Sequence, residues 1–250
     1  MKNVAFKIKP KSGFSYFVHL FFVAFVPTMM YITVRIDLIP VALLIVLLGK
    51  WRVFAVRPRH WWPYLRANAV DMMVGLSTLG AMVETSSGGM QALLAVLYGL
   101  WLLLLKPRST PIYVSLQALL AQTSSLIVLF LLGDGIPLAL LVLAAGAIGY
   151  LSARHFLANF DEAHAPLYAH SWGYFCAALT WVLGHWTLYY VEVVAQIAVL
   201  LTCIGFSLAA LYYLERKDKL STLIQRQILF LMIAVTVVVI VFSDWGDQAI

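Results

Sequence analysis

The sequence predicts an all-α, polytopic membrane protein: one membrane domain of nine transmembrane helices, built as two related four-helix halves plus a ninth helix. Three observations predict it. The composition is too apolar for a water-soluble domain, basic residues gather at one end of successive apolar segments, and the chain repeats itself with a step of 97 residues. Of 250 residues, 63% are apolar and 11% charged, against roughly 25% charged in soluble domains. About 20 helical residues cross a hydrocarbon core of about 30 Å. Runs of this kind lie near residues 15–34, 38–54, 67–85, 90–106, 111–132, 136–154, 168–186, 188–213 and 223–243. Lipid offers free backbone groups no partner and the alternation of barrel strands is absent, so each run is expected to be a helix.

Taken in order, the first run follows Lys2, Lys7, Lys9 and Lys11 and resembles a signal peptide. It is too long for one, and Pro27-Thr28-Met29-Met30-Tyr31 offers no small-residue cleavage site, so it is expected to stay as helix one. Asp37, before Pro40, and Asp134, before Pro137, are expected N-caps of helices two and six. Helix three carries Asp71 in line with Gly75 and Thr78, with Arg66 or Arg154 as possible partners. Helix five holds the polar run Gln122, Thr123, Ser124 and Ser125. Helix six has the small-residue spacing Ala145, Gly149, Ala153, which allows close helix contact, and is expected to run out of the membrane as far as Pro166. Cys176 and Cys203 fall mid-helix in segments seven and eight, where packing suits them better than a disulfide. Glu192 and His185 sit near the outer end of segments seven and eight.

Charge sets the orientation. Sixteen of the 17 basic residues fall on the side of the N-terminus when the nine runs alternate, and Arg35 alone falls on the other. The positive-inside rule then puts the N-terminus in the cytoplasm and the C-terminus outside a plasma membrane. The net charge of +6 is therefore an address, and no nucleic-acid partner is expected. The basic and aromatic stretch from Lys50 to Trp62 reads as an interfacial anchor. The letters Asp161-Glu162-Ala163-His164 match a helicase box, but without a phosphate-binding Gly-x-x-x-x-Gly-Lys loop the match is chance.

The repeat is marked by Lys9-Pro10-Lys11, Arg57-Pro58-Arg59 and Lys106-Pro107-Arg108, each followed five residues later by Tyr16, Tyr64 or Tyr113. Residues 9–59 laid on 106–156 share 13 identities. The halves are accordingly 9–105 and 106–214, with 215–250 as helix nine and a short tail, and four helices per half makes the repeat parallel. Basic pairs, proline in a first helical turn and interfacial tyrosine each suit a cytoplasmic boundary. Alternatively, Arg57, Arg59, Lys106, Arg108 and Arg154 bind anionic lipid headgroups.

Candidate chemistry lies in three places. At mid-membrane the repeat sets Pro27 and Thr28 of helix one opposite Ser124 and Ser125 of helix five, beside Gln122 and Thr123. Interrupted helices at matching positions point to a transport site, because freed backbone groups can coordinate a solute. At the cytoplasmic face, Arg154 to His170 abandons the basic-proline pattern and gathers His155, Asn159, Asp161, Glu162, His164 and His170. On a continuing helix His155, Asn159 and Glu162 would share one stripe. Asp161 and His164 have the spacing found in di-metal bundles, but a second such pair and further carboxylates are missing, so no metal and no cofactor is expected. Asp71 is the third place, since acids within membrane helices are costly.

Three functions remain in play at this level. The first is a small permease or translocation protein for a polar, uncharged or weakly charged solute, binding through Pro27, Thr28, Asp71, Gln122, Thr123, Ser124 and Ser125. The second is an enzyme acting on lipid headgroups or lipid-linked substrates at the inner leaflet, with His155, Asp161, Glu162, His164 and His170 as catalytic groups. The third is a scaffold subunit. The expected partners are the lipid bilayer, anionic headgroups, and either further copies of the chain or a membrane complex.

Overall fold

Helix α1 (Gly13–Arg35) opens the described part of the chain. The computed structural model describes residues 13–49, 57, 59, 61–160, 162–186, 190–191 and 194–242. Pro27 does not interrupt α1, which runs through it unbroken. The Thr28 hydroxyl donates to the Ala24 carbonyl at 2.8 Å, closing the backbone on its own helix. A turn with Asp37 in the left-handed region (φ 60°) leads into α2 (Ile39–Leu48). Then follow α3 (Trp61–Glu84), α4 (Gly88–Leu100) with a π-helical turn at Trp101–Leu105, and α5 (Pro111–Leu131). Next come α6 (Leu138–Leu157), α7 (Ala165–Trp186), a hairpin of strands β1 (Tyr190–Val191) and β2 (Val194–Ala195), α8 (Gln196–Arg216) and α9 (Thr222–Val241). In the antiparallel hairpin Tyr190 pairs with Ala195 and Val191 with Val194.

Among the described residues, five helical segments are long and apolar enough to cross a membrane: Gly88–Leu105, Pro111–Leu131, Leu138–Leu157, Gln196–Arg216 and Thr222–Val241. The described apolar parts of α1 and α2 are shorter. Helices α3 and α7 have the length but carry polar residues such as Arg66, Asn68 and Asp71, or His170, Ser171 and His185. The packing supports a membrane-embedded bundle. Phe17, Leu143, Phe230 and Val241 are each more than 60% exposed, whereas Gln91, Gln117, Gln122, Ser152 and Thr180 are buried. In water that arrangement would forfeit about 1.5–3 kcal/mol per large apolar side chain; in lipid it costs nothing. No residue of α9 is buried, and the helix packs on α8.

Three expectations are corrected by local geometry. Asp37 and Asp134 do not cap α2 and α6, whose N-cap residues are Leu38 and Pro137, without side-chain cap bonds. Proline in or just before the first turn presets helical φ there, and Asp37 spends its tolerance of the left-handed region on the turn instead. Helix α6 stops at Leu157 and does not reach Pro166. The amides of Asn159 and Phe160 close back three residues onto Phe156 and Leu157, the tight ending that terminates a helix, and Pro166 sits in the first turn of α7. His155, Asn159 and Glu162 therefore share no helical stripe.

The interior falls into three clusters. The first joins α1–α4 around Met30, Val46, Met73, Met82, Tyr98 and Trp101, with Ala121 of α5. The second lies around Leu126, Phe130, Cys176, Ile197 and Leu201. The third lies at the other end of α5–α8 around Ala118, Phe156, Leu157 and Ala169. Helices α6 and α7 meet along small residues: Gly149 faces Cys176, and Gly146 faces Gly173 and Ala177. A β-carbon at Gly149 would lie 2.5 Å from the Cys176 sulfur, so only glycine permits that approach. Both cysteines are free thiols.

Candidate functional site

Beside the third cluster, α5, α6, α7 and α8 line an open cavity of about 990 Å³. The first half of α5, the last turns of α6, the first half of α7 and the second half of α8 line it, so it opens toward the end where Arg108, Arg154 and Arg216 lie. Its walls are mostly apolar, with Leu119, Phe156, Phe175 and Phe206 among them. The cavity exists because α7 packs closely on α6 and only sparsely on α8.

Gln122 stands at its inner limit. The residue is 5% exposed; its Oε1 accepts from Trp172 Nε1 at 3.0 Å and its Nε2 donates to the Leu201 carbonyl at 3.3 Å. One side chain thus ties α5 to α7 and α8. An amide buried without such partners would cost about 1–3 kcal/mol. Gly205 makes room for the pair: a β-carbon there would come within 2.8 Å of the Trp172 ring and 2.9 Å of the Gln122 amide. Ser152 of α6, 2% exposed, is among the lining residues, but its hydroxyl is itself buried, without a hydrogen-bond partner among the described residues.

The mouth is framed by aromatic and charged groups. Phe160 lies edge-on to Tyr212 and Tyr213, at centroid distances of 5.2 and 6.1 Å. Glu162 Oε2 accepts from Tyr212 Oη at 2.7 Å and is ion-paired with Arg216, which also donates from Nε to Tyr212 at 3.1 Å. This latch pins the connection between α6 and α7 to the end of α8.

The residues grouped as catalytic are held by separate neighbours. His155 lies 3.1 Å from Gln117 Oε1, and Gln117 Nε2 donates to the Leu105 and Arg108 carbonyls at 2.6 and 3.0 Å. Those two carbonyls fix the amide orientation, so the imidazole donates from Nε2. Glu162 belongs to the latch, and its Oε1 accepts from the His164 backbone amide at 3.4 Å. His170 lies on α7 against Tyr150, with Nδ1 donating to the Pro166 carbonyl at 2.6 Å. His164 packs edge-on to Tyr168. Asp161 lies outside the described residues. Among the described residues no three His, Cys, Asp or Glu side chains gather as metal ligands.

The mid-membrane group is also divided. Pro27 is buried, with Gly99 of α4 as a neighbour, while Thr28 is exposed. Ser124 accepts from Ser77 of α3 at 2.9 Å, and Ser125 donates to the Met73 carbonyl at 3.4 Å, so both join α5 to α3. Thr123 is half-buried on α5. Helix α3 stands between α1 and this face of α5. Of the expected solute-binding set, Gln122 lines the cavity.

Asp71 pairs with Lys106 at 3.3 Å. Arg108 donates to the Tyr113 hydroxyl and lies 4.4 Å over its ring, which gives the motif's tyrosine a partner five residues upstream. Arg57 and Arg59 are exposed, and Arg154 is half-buried on the last turn of α6. Gln117, Ser152, Gly205, Tyr212 and Arg216 carry much of the site without having been singled out by sequence. A signal was available for two of them: amides and glycines inside apolar helices mark contacts.

No protein-family model matches this sequence, and no curated protein or solved structure is significantly similar to it.

Proposed function

We propose that the protein is a small permease or translocation protein, cytoplasmic at its N-terminus in a plasma membrane, which admits an uncharged or weakly charged solute to the cavity between α5, α6, α7 and α8. One observation carries the reading: a cavity of about 990 Å³ runs from the basic end of the bundle inward to Gln122. Its size is that of small-molecule sites, which fall at about 300–1,000 Å³. The route suggested is within the second half rather than between the halves. Gln122 contacts α7 and α8 at once, so a solute that displaced either hydrogen bond would be felt by both helices. The headgroup-enzyme reading has less support, because His155, Glu162 and His170 are each engaged by a different neighbour.

Uptake of a panel of radiolabelled uncharged and monovalent solutes into proteoliposomes tests the proposal. At least one solute should enter faster than into protein-free vesicles. Gly205→Leu, which fills the space between Trp172 and Gln122, should return that rate to background while the protein still elutes as a single species. Equal uptake by Gly205→Leu, or no solute carried at all, would sink the reading.

A further inference from the structure

The wall of the cavity is electrically one-sided. Glu215 is its charged residue, and no lysine, arginine or histidine lines it among the described residues. Tyr168 stands in the first turn of α7, and Tyr212, Tyr213 and Glu215 stand in the last turns of α8, so all four lie at the mouth. Aromatic faces are negative, and the Tyr168 ring is open to a ligand, being 46% exposed. One ring of this group already holds a cation: the Arg216 guanidinium carbon lies 5.3 Å from the Tyr212 centroid. Arg216 itself stays out of the wall, its charge matched by Glu162. Glu215 is exposed and enters no ion pair among the described residues. The polar groups lean the same way, because their protons are spent inside the protein. Trp172 Nε1 donates to Gln122, Gln122 Nε2 to the Leu201 carbonyl, the Ser115 hydroxyl to the Pro111 carbonyl and the Tyr212 hydroxyl to Glu162. The hydroxyls of Tyr168, Ser171 and Tyr213 can accept as well as donate. An anion would therefore meet a carboxylate and ring faces, and a cation would be matched by both. Deeper in, Leu119, Phe175 and Phe206 offer a metal ion no ligand but suit an apolar body.

We infer, resting on the permease reading, that the solute is a monovalent organic cation: a substituted ammonium held at the mouth by Tyr168, Tyr213 and Glu215, with its apolar substituents turned inward. Cation–π contact there is worth most where the ring and the charge are partly desolvated. The open mouth lets the ammonium keep some of its water, so its charge is not carried bare into the apolar wall.

Equilibrium dialysis of the full chain in nanodiscs of zwitterionic lipid, with empty nanodiscs subtracted, tests this with three radiolabelled probes of similar size. They are benzyltriethylammonium, 4-tert-butylbenzyl alcohol and 4-tert-butylbenzenesulfonate. The ammonium should bind about fivefold or more tighter than the alcohol or the sulfonate. Tyr168→Leu should weaken ammonium binding about twofold to fivefold, the effect of one exposed cation–π contact, while Tyr168→Phe, which keeps the ring, should retain it. Glu215→Gln should weaken it by a similar factor of about twofold to fivefold. Phe230→Leu on lipid-facing α9 should change nothing. Binding of the alcohol or the sulfonate as tight as that of the ammonium overturns the inference, as does wild-type ammonium affinity in either Tyr168→Leu or Glu215→Gln. The two readings separate cleanly. Gly205-dependent uptake without preferential ammonium binding removes the ligand class alone, whereas ammonium binding that depends on Tyr168 and Glu215, without uptake of any solute, removes the permease alone.

Discussion

Helices α1–α4 and α5–α8 solve the problem of packing in lipid differently. The first four helices share one cluster in which Tyr98, Trp101, Met73 and Met82 fill the centre. The second four divide their interior between two clusters, and the cavity lies against the third of the molecule's clusters, at the basic end. In lipid there is little hydrophobic force to close such a space, because an apolar side chain gains nothing by leaving the acyl chains. Contact there comes from shape and hydrogen bonds. Glycines at 146, 149 and 173 draw α6 and α7 together, while α8 is tied in by packing in the two clusters and by hydrogen bonds at Gln122 in mid-bundle and at the Glu162 latch at the basic end. A helix braced in this way, but packed only sparsely along α7, can leave space beside it.

If the contrast is right, removing bulk from the first half should hurt most. Met82→Ala empties a fully buried position and should cost about 3 kcal/mol, within the usual range for methionine truncation in cores; a lowered midpoint of thermal denaturation in detergent checks it. Arg216→Met comes next. It leaves the Glu162 carboxylate, 11% exposed, with Tyr212 but without its cation, although Arg216 itself is 44% exposed. Allowing for that solvent screening, the loss should be about 1–2 kcal/mol, with faster proteolysis between α6 and α7 as a second readout. Gln122→Leu should cost about 1 kcal/mol through the unpaired Trp172 N–H and should also slow uptake, separating it from the latch variant. Ala209→Leu adds bulk to the cavity wall and should change stability by less than about 1 kcal/mol in either direction, while abolishing uptake. The same insertion in a filled core would be clearly destabilising, so a large loss of stability from Ala209→Leu would erase the contrast. Thr28→Val should be silent in both assays, within about 0.5 kcal/mol, because the hydroxyl serves its own helix and the residue is exposed.

Much of the fold's helical content was legible, because apolar length is a property of consecutive residues and needs no partner. Helix ends were less legible. The end of α6 depended on Asn159 and Phe160 folding back, and Pro166 could equally mark a stop or a start; only the chain's return to α7 selects the start. Among candidate site residues, Gln122 was visible as an amide within a membrane run. Ser152 was not, because a serine in an apolar helix is unremarkable until the helix facing it is known. The Glu162, Tyr212 and Arg216 latch joins Glu162 to groups 50 and 54 positions away in sequence, and no periodicity could have announced it.

The basic-proline motif shows the same division in one turn of chain. Sequence alone marked Lys106, Arg108 and Tyr113 as an interfacial cluster, and spacing alone could not say what each side chain touches. In the structure Arg108 covers Tyr113 and Lys106 reaches Asp71. Composition and hydropathy by themselves determined that this chain is helical and suited to a membrane, since those follow from the cost of exposing backbone polar groups to lipid. Which helices close upon one another and which stand apart was decided only by tertiary structure, because that depends on small residues and buried amides meeting across helices. The cavity is the result of that second decision.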